Sequence, residues 1–390
     1  MNADVPVSPT FALDAYLTLP ADVLTERIQR VRTRLGRRLL ILGHHYQPDP
    51  VIELADLRGD SYQLAKLASE REDCEAIVFC GVHFMAETAD ILANRAERLA
   101  QRNGRRVNVI LPDLTAGCSL ADMADAAQVE DCWKQLSDII DIDDVTPITY
   151  VNSTASLKAF CGRHGGIVCT SSNARAVLDW AFARRSRVLF FPDQHLARNT
   201  ARTMGISLDQ MPLWDARQKT LGGNSPEAIR RSRVILWQGH CCVHQAFLPS
   251  HVAMFREQYP GIKIIVHPEC MMSVVEQSDI FGSTGKIIQT VEASPPGTRW
   301  AIGTEWNLVD RLKRQHPEQE IHILSPVASL CETMNRIDLP HVCWAVENLA
   351  AGTPVNVITV DPQTARDALD ALQRMLDVSA SPPAGRCCNT

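Results

Sequence analysis

Short apolar runs that end in Gly, Pro, Asp, Asn or Ser, each followed by a helical pattern, recur nine times in this 390-residue chain. No other feature limits its fold as tightly. The first group is Leu39-Leu40-Ile41-Leu42 into Gly43-His44-His45-Tyr46, Ala76-Ile77-Val78-Phe79-Cys80 into Gly81, and Val107-Asn108-Val109-Ile110-Leu111 into Pro112-Asp113. The second is Ile148-Thr149-Tyr150-Val151 into Asn152, Ile167-Val168-Cys169 into Thr170, and Val188-Leu189-Phe190-Phe191 into Pro192-Asp193. The third opens with Val234-Ile235-Leu236-Trp237 and continues with Ile264-Ile265-Val266 into His267-Pro268-Glu269 and Trp300-Ala301-Ile302 into Gly303-Thr304-Glu305. A strand that is apolar along its whole length is buried on both faces, and strands alternating with helices make parallel sheets covered on both sides.

The recurrence predicts an α/β protein of three related three-layer α/β/α domains whose loops converge on one cleft. The matching endings Pro112-Asp113 and Pro192-Asp193 are read as marks of internal repetition. The expected domains span residues 1–145, 146–231 and 232–325. A C-terminal segment, 326–378, is expected to pack back on the body through a helix carrying Leu369, Leu372 and Leu376. Residues 379–390, with paired prolines and Cys387-Cys388, are expected to be a disordered tail.

Composition narrows the function classes. With 45% hydrophobic and 22% charged residues and a net charge of -6, the chain has no global signature of nucleic-acid or membrane-surface binding. The Arg-rich stretch at residues 30–38 is read as the solvated end of a helix over 21–35. No signal-type opening and no membrane-length apolar run is visible, so a cytoplasmic location is expected. Thirteen cysteines is an odd count, which prevents complete intrachain pairing, and in a reducing compartment it favours metal or reactive-thiol roles.

Most of those cysteines are read as small buried hydrophobes: Cys74, Cys132, Cys161 and Cys343 within regular elements, Cys80 and Cys169 at strand ends. Cys118, Cys241 and Cys331 instead lie in loops rich in Gly, Ser or Thr, and none forms a CxxC pair. The stretch Gly239-His240-Cys241-Cys242-Val243-His244 closes a buried strand. It is compatible with a zinc site, an iron–sulfur ligand, a thiol nucleophile or two packed cysteines. Of the two adjacent thiols, one is expected to face the cleft and the other the core. Tyr150 and Asn152, Ser171 and Ser172, and Ser283-Thr284 stand at strand ends where helices begin. They can bind carboxylate or phosphate oxygens, or simply cap helices. His44, Tyr46, His267 and Glu269 are the titratable candidates for proton transfer.

Together these motifs resemble one family, quinolinate synthase. The resemblance spans residues 39–360 and rests on Gly43-His44-His45-Tyr46-Gln47, Asp60-Ser61, Gly81-Val82-His83-Phe84-Met85-Ala86-Glu87-Thr88-Ala89, Pro112-Asp113-Leu114-Thr115-Ala116-Gly117-Cys118, Tyr150-Val151-Asn152-Ser153-Thr154, Gly239-His240-Cys241, His267-Pro268-Glu269, Gly282-Ser283-Thr284 and Met334-Asn335. It implies three α/β domains about a pseudo-threefold axis and one [4Fe–4S] cluster per chain in a central cleft, ligated by Cys118, Cys241 and Cys331. Some relatives carry further cysteines near the last ligand, whereas Cys331 stands alone.

The implied reaction condenses iminoaspartate (iminosuccinate) with dihydroxyacetone phosphate to quinolinate in de novo NAD biosynthesis, with loss of phosphate and water. The cluster acts as a Lewis acid through an iron that has no protein ligand. Substrate-binding roles fall on His44, Ser61, Tyr150, Val151, Asn152, Ser171, His267, Pro268, Glu269, Ser283 and Thr284. His44, Tyr46 and Glu269 are the implied catalytic residues, with Glu269 the general base. Around the implied middle ligand Cys241, Cys242 is expected to be a neighbour packed in the core, and His240 and His244 to serve as lining or support. Functional coupling to L-aspartate oxidase is expected, and no nucleic-acid or membrane partner. A Schiff base to Lys158 or Lys286 stays open. Two other readings are a zinc-dependent hydrolase built on Cys241 and His244, and a solute-binding protein.

Overall fold

The computed structural model describes residues 10–380 apart from Glu72. Cys387 and Cys388 lie outside the described residues. The chain forms two compact units. The first runs through Cys118 and takes in Cys331–Val360; the second comprises Ser119–Leu330 and the segment from Asp361.

The first unit holds one sheet. Its parallel strands are β1 (Leu39–His44), β2 (Leu57–Gly59), β3 (Ala76–Cys80) and β4 (Asn108–Ile110), in the order β4-β3-β1-β2, with Val357–Ile358 added antiparallel beside β4. Every residue of β1 and β3 is buried, as continuous apolar runs require when helices cover both faces. The helix Ser61–Glu70 starts where its cap chemistry predicts. Asp60 accepts from the Gln63 N–H at 2.9 Å, and the Gln63 side chain accepts from the Asp60 N–H at 3.0 Å. The leading helix, Ala21–Leu35, buries Leu24, Ile28 and Val31 on one stripe.

The second unit holds two sheets. One contains β5 (Val145–Tyr150), β6 (Ile167–Cys169), β7 (Arg187–Phe191), β8 (Leu213–Trp214) and β9 (Val234–Trp237), in the order β6-β5-β7-β9-β8. The other contains β10 (Lys263–Val266), β11 (Ile280–Phe281), β12 (Arg299–Gly303) and β13 (Glu320–Ile323), in the order β11-β10-β12-β13. The expected α/β class and three parallel sheets are therefore present, two of them in one compact unit.

Strand order exposes a repeat. Taking β1-β2-β3-β4, β5-β6-β7-β9 and β10-β11-β12-β13 as three sets, each sheet runs second, first, third, fourth. This corrects the expected grouping. β9, placed at the head of a third domain starting at 232, pairs with β7 through Val188↔Val234 and Phe190↔Leu236 and closes the second set. The shift arose because β2 and β11, three and two residues long with half-exposed or exposed positions, are too short to show as apolar runs. The Pro-Asp endings are not equivalent either: Asp113 follows a fourth strand and Asp193 a third.

The C-terminal segment also divides differently from expectation, with Cys331–Val360 in the first unit and the last helix in the second. That helix, Pro362–Ala380, packs on Ala155–Arg163 and buries Ala368, Ala371, Leu372 and Met375. Leu369 and Leu376 flank this face rather than form it. The helix continues through Ser379, first residue of the expected disordered tail, because its hydroxyl donates to the Met375 carbonyl and accepts from Asn173 Nδ2 at 2.9 Å.

Close approach of the two helices depends on Gly162, where an added Cβ would sit 1.7 Å from the Asp367 carbonyl oxygen. Gly162→Ala is expected to push the last helix outward, at a cost of about 1–3 kcal/mol. A thermal melt then shows Tm lower by roughly 2–10 °C; an unchanged Tm contradicts this packing.

No helix among the described residues is long and apolar enough to cross a membrane.

Candidate active site

In a parallel sheet of order second-first-third-fourth, the connections leave the first and third strands in opposite directions. A crevice opens beyond their carboxyl ends. The residues singled out from sequence fall in corresponding loops of the three sets. At the carboxyl ends of the first strands stand His44 and Tyr46, then Tyr150, Val151 and Asn152, then His267, Pro268 and Glu269. After the second strands come Ser61, Ser171, and Ser283 with Thr284. After the fourth come Cys118, Cys241 and Cys331, placed eight, four and eight residues beyond Ile110, Trp237 and Ile323. Each set thus presents a polar pair, a hydroxyl and a thiol in matching positions.

In the first unit, the His44 and Tyr46 rings meet edge-on at 4.7 Å, and the Tyr46 N–H donates to His44 Nδ1 at 3.1 Å. Buried Gln47 donates to the Met334 carbonyl at 3.0 Å, tying this loop to the one that begins at Cys331. Arg336 donates to Asp113 at 2.9 Å, which joins the Cys331 loop to the loop that ends at Cys118. The Asn335 side chain donates to the Cys331 carbonyl at 2.9 Å. The Asp113 carboxyl is buried, which pushes its pKa up. Its bonds from Thr115 and Arg336 outweigh that and hold it below the usual carboxylate range.

In the second unit the candidates converge on Glu269, 2% exposed. Its Oε2 accepts from the Tyr150 hydroxyl at 3.3 Å and lies 3.1 Å from His267 Nδ1 and 3.4 Å from His244 Nδ1. The His244 and His267 rings stack at 4.3 Å with 13° between planes, and His244 Nε2 lies 3.3 Å from Thr304 Oγ1. Burial, reinforced by the neighbouring His267, lowers His244 to about 3. The imidazole is therefore neutral, and its approach to Glu269 is a polar contact, not an ion pair. Burial raises the Glu269 carboxyl, against the opposing influence of His244 and Tyr150. Its Oε1 has no hydrogen-bond partner among the described residues, and neither does Asn152 Oδ1. Buried acceptors without a protein partner are open to a donor from water or a ligand.

Part of this apparatus is not visible in the sequence. His244, expected as lining or support, belongs to the Glu269 cluster. Asn199, 3% exposed, donates from Nδ2 to the carbonyls of Pro268 at 2.8 Å and Cys270 at 2.9 Å, pinning the backbone on both sides of Glu269. Asp193 is fully buried at the third-strand end, with its carboxyl held well above the usual range by burial and by the Glu269 charge. Only the Pro-Asp ending hints at Asp193, and nothing local marks Asn199.

Cys242 reverses its expectation. It starts the short helix Cys242–Gln245, is exposed, and faces Ser119 Oγ at 3.6 Å. The buried side of that turn is taken by Val243 and His244. Gly239 sets up the turn: a Cβ there would lie 2.2 Å from the Pro192 carbonyl oxygen. Ser283 caps the helix Thr284–Glu292, accepting from the Lys286 N–H at 3.3 Å, so the bland reading of that hydroxyl is realised. Ser171 caps nothing; Asn173 Oδ1 accepts from Thr170 N–H instead. Lys158 is fully buried and donates to the Ser153 carbonyl, while Lys286 is exposed.

The donor set suits a thiolate-bound metal group. Among the described cysteines, Cys118, Cys241 and Cys331 are half-buried, Cys242 is exposed, and the other seven are buried. Burial pushes the thiols of Cys132, Cys169 and Cys270 well above their ordinary value, away from the thiolate a metal needs. In addition, donor atoms of Cys241, His244 and Glu269 lie within 4.8 Å of one another.

Parallel α/β repeats that carry thiols, imidazoles and buried carboxyls at switch-point loops are the framework of an enzyme. Comparison with known proteins gives the particular family. Residues 26–377 match the family described as Quinolinate synthetase A protein. A quinolinate synthase of Rhodopirellula baltica is 63% identical over 94% of this chain and 93% of its own length. Those of Geobacillus kaustophilus and Corynebacterium glutamicum are 52% and 51% identical, over 93% and 95% of this chain and 96% and 91% of theirs. The chain belongs to the quinolinate synthetase A family.

Proposed function

We propose that this enzyme condenses iminoaspartate with dihydroxyacetone phosphate to give quinolinate, phosphate and two waters, as a step of de novo NAD biosynthesis. We further propose that it holds one [4Fe–4S] cluster on Cys118, Cys241 and Cys331. The observation that carries this reading is the equivalence of those three cysteines, each in the loop after the fourth strand of its set and none of them buried. Chance placement of unrelated thiols gives no reason for one in each set.

Three thiolates for four irons would leave one iron open to a substrate oxygen or nitrogen, supplying Lewis-acid chemistry. The remaining work falls to side chains. Glu269 Oε2 is engaged by Tyr150 and His267, so Oε1 is the atom left to take a proton. Tyr150 and Asn152 at the end of β5 and His267 at the end of β10 offer donors to substrate carboxylates, with Ser171 and Thr284 from the second-strand loops. His44, Tyr46 and Ser61 play the corresponding parts in the first unit. The Asn199 bonds hold Glu269 in place, so ordering it costs nothing during the reaction. L-aspartate oxidase is the proposed source of iminoaspartate, and the cytoplasm the proposed setting.

The test is anaerobic incubation of iron-replete protein with iminoaspartate and dihydroxyacetone phosphate. Quinolinate and phosphate are expected in equal amounts. Phosphate without quinolinate, or neither product, overturns the assignment.

A further inference from the structure

The second unit carries two donors that the proposed cluster does not use, His244 and Glu269, beside one that it does, Cys241. Cys241, His244 and Glu269 bring one sulfur, one nitrogen and one oxygen within 4.8 Å of each other. We infer that Cys241, His244 and Glu269 form a zinc site in the cluster-free chain, one that competes with iron–sulfur assembly for Cys241. The zinc site stands on the second unit alone; its effect on assembly rests on the cluster reading above.

Four features carry the inference. The donor types are those of an open zinc centre, with three protein ligands and a fourth position left for water. Zn–N and Zn–O bonds near 2.0–2.1 Å and Zn–S near 2.3 Å give donor–donor edges of about 3.3–3.6 Å in a tetrahedron, and His244 Nδ1 lies 3.4 Å from Glu269 Oε2. The outer shell is in place as well. His244 Nε2 lies 3.3 Å from Thr304 Oγ1, while Glu269 accepts from Tyr150 at 3.3 Å; such partners fix the orientation of a metal-bound imidazole and carboxylate. Finally, Glu269 Oε1 is buried and without a hydrogen-bond partner among the described residues, on a residue 2% exposed. A zinc ion held on Oε2 and leaning toward Oε1 gives that second oxygen of the same carboxylate a positive partner.

Two of the three ligands, His244 and Glu269, come from rigid neighbours. His244 is locked by its stack on His267, and Glu269 by the Asn199 clamp on its backbone. Only Cys241, half-buried at the start of a turn, has to settle onto the ion. Binding as zinc thiolate releases the Cys241 proton and oxidises nothing, so no co-reactant is needed.

The experiment uses full-length protein freed of iron and sulfide, titrated with Zn²⁺ against a chromophoric chelator. One zinc per chain is expected. Cys241→Ala, His244→Gln and Glu269→Gln should each weaken binding by about 10–100-fold or more, and Thr304→Val by about 10-fold through the outer shell. Cys118→Ser and Cys331→Ser should leave it unchanged, which separates this site from one that uses the cluster cysteines. Co²⁺ in the wild-type chain gives a readout that needs no variant: one thiolate-to-metal charge-transfer transition of single-thiolate strength is expected. A three-thiolate spectrum, dependence on Cys118 or Cys331, no effect of the His244 change, or no stoichiometric binding each overturns the site. If zinc binds as described but preloading does not slow iron and sulfide uptake severalfold, the shared use of Cys241 is wrong, and with it the cluster ligand set.

Discussion

Glu269→Gln is expected to lower kcat by about 10²–10⁴-fold, the usual worth of a positioned general base, while the iron and sulfide content and the melting temperature stay near wild type. The glutamine keeps the shape and can still accept from Tyr150, so the Asn199 clamp and the stacked histidines have no reason to move. What it loses is the basic oxygen. Of the two Glu269 oxygens, Oε1 is the one that is buried and without a hydrogen-bond partner among the described residues. Steady-state kinetics with metal analysis on the same preparation checks this. Wild-type turnover with intact iron contradicts the role, whereas a low kcat accompanied by lost iron assigns Glu269 to metal retention instead.

The second large effect concerns the thiols. Cys331→Ser is expected to abolish both the iron–sulfur absorbance and detectable turnover, because a serine hydroxyl is a poor substitute for a thiolate on iron. The change should leave the fold alone: the loop is held from elsewhere, by Gln47 on the Met334 carbonyl, by Asn335 on the Cys331 carbonyl, and by the Arg336–Asp113 pair. Cys242→Ser is the matched control. Its side chain is exposed and touches Ser119, so cluster and activity should survive. Loss of the cluster in the Cys242 variant, or its retention in the Cys331 variant, breaks the ligand assignment.

Much of this molecule is legible in its sequence because buried parallel strands write themselves as unbroken apolar runs. β1, β3, β5, β7, β10 and β12 are all visible that way, and the candidate site residues stand in the loops at their carboxyl ends and those of their neighbours. The second strands are harder to see. β6 is read correctly, but β2 and β11 form edges of two or three residues and carry too few apolar positions to register. Missing them displaced β9 into the wrong set and made two unrelated Pro-Asp endings look equivalent.

The site shows the same division. Residues directly at strand ends, such as His267 and Glu269, can be picked out one by one. Contacts made across the fold cannot: Asn199 sits inside a helix, and only tertiary structure reveals that it grips the Glu269 loop. Cys242 is exposed and His244 buried because a single turn of helix decides which side chain faces inward, and an i, i+2 spacing does not encode that.

The central claim is that three equivalent loops supply three thiolates to one cluster. It is tested most directly by counting iron and acid-labile sulfide in protein purified without oxygen, with the visible spectrum recorded on the same sample. About four irons and four sulfides per chain, in a brown protein, is the predicted result. A colourless protein that carries zinc and no sulfide after anaerobic purification and reconstitution contradicts it.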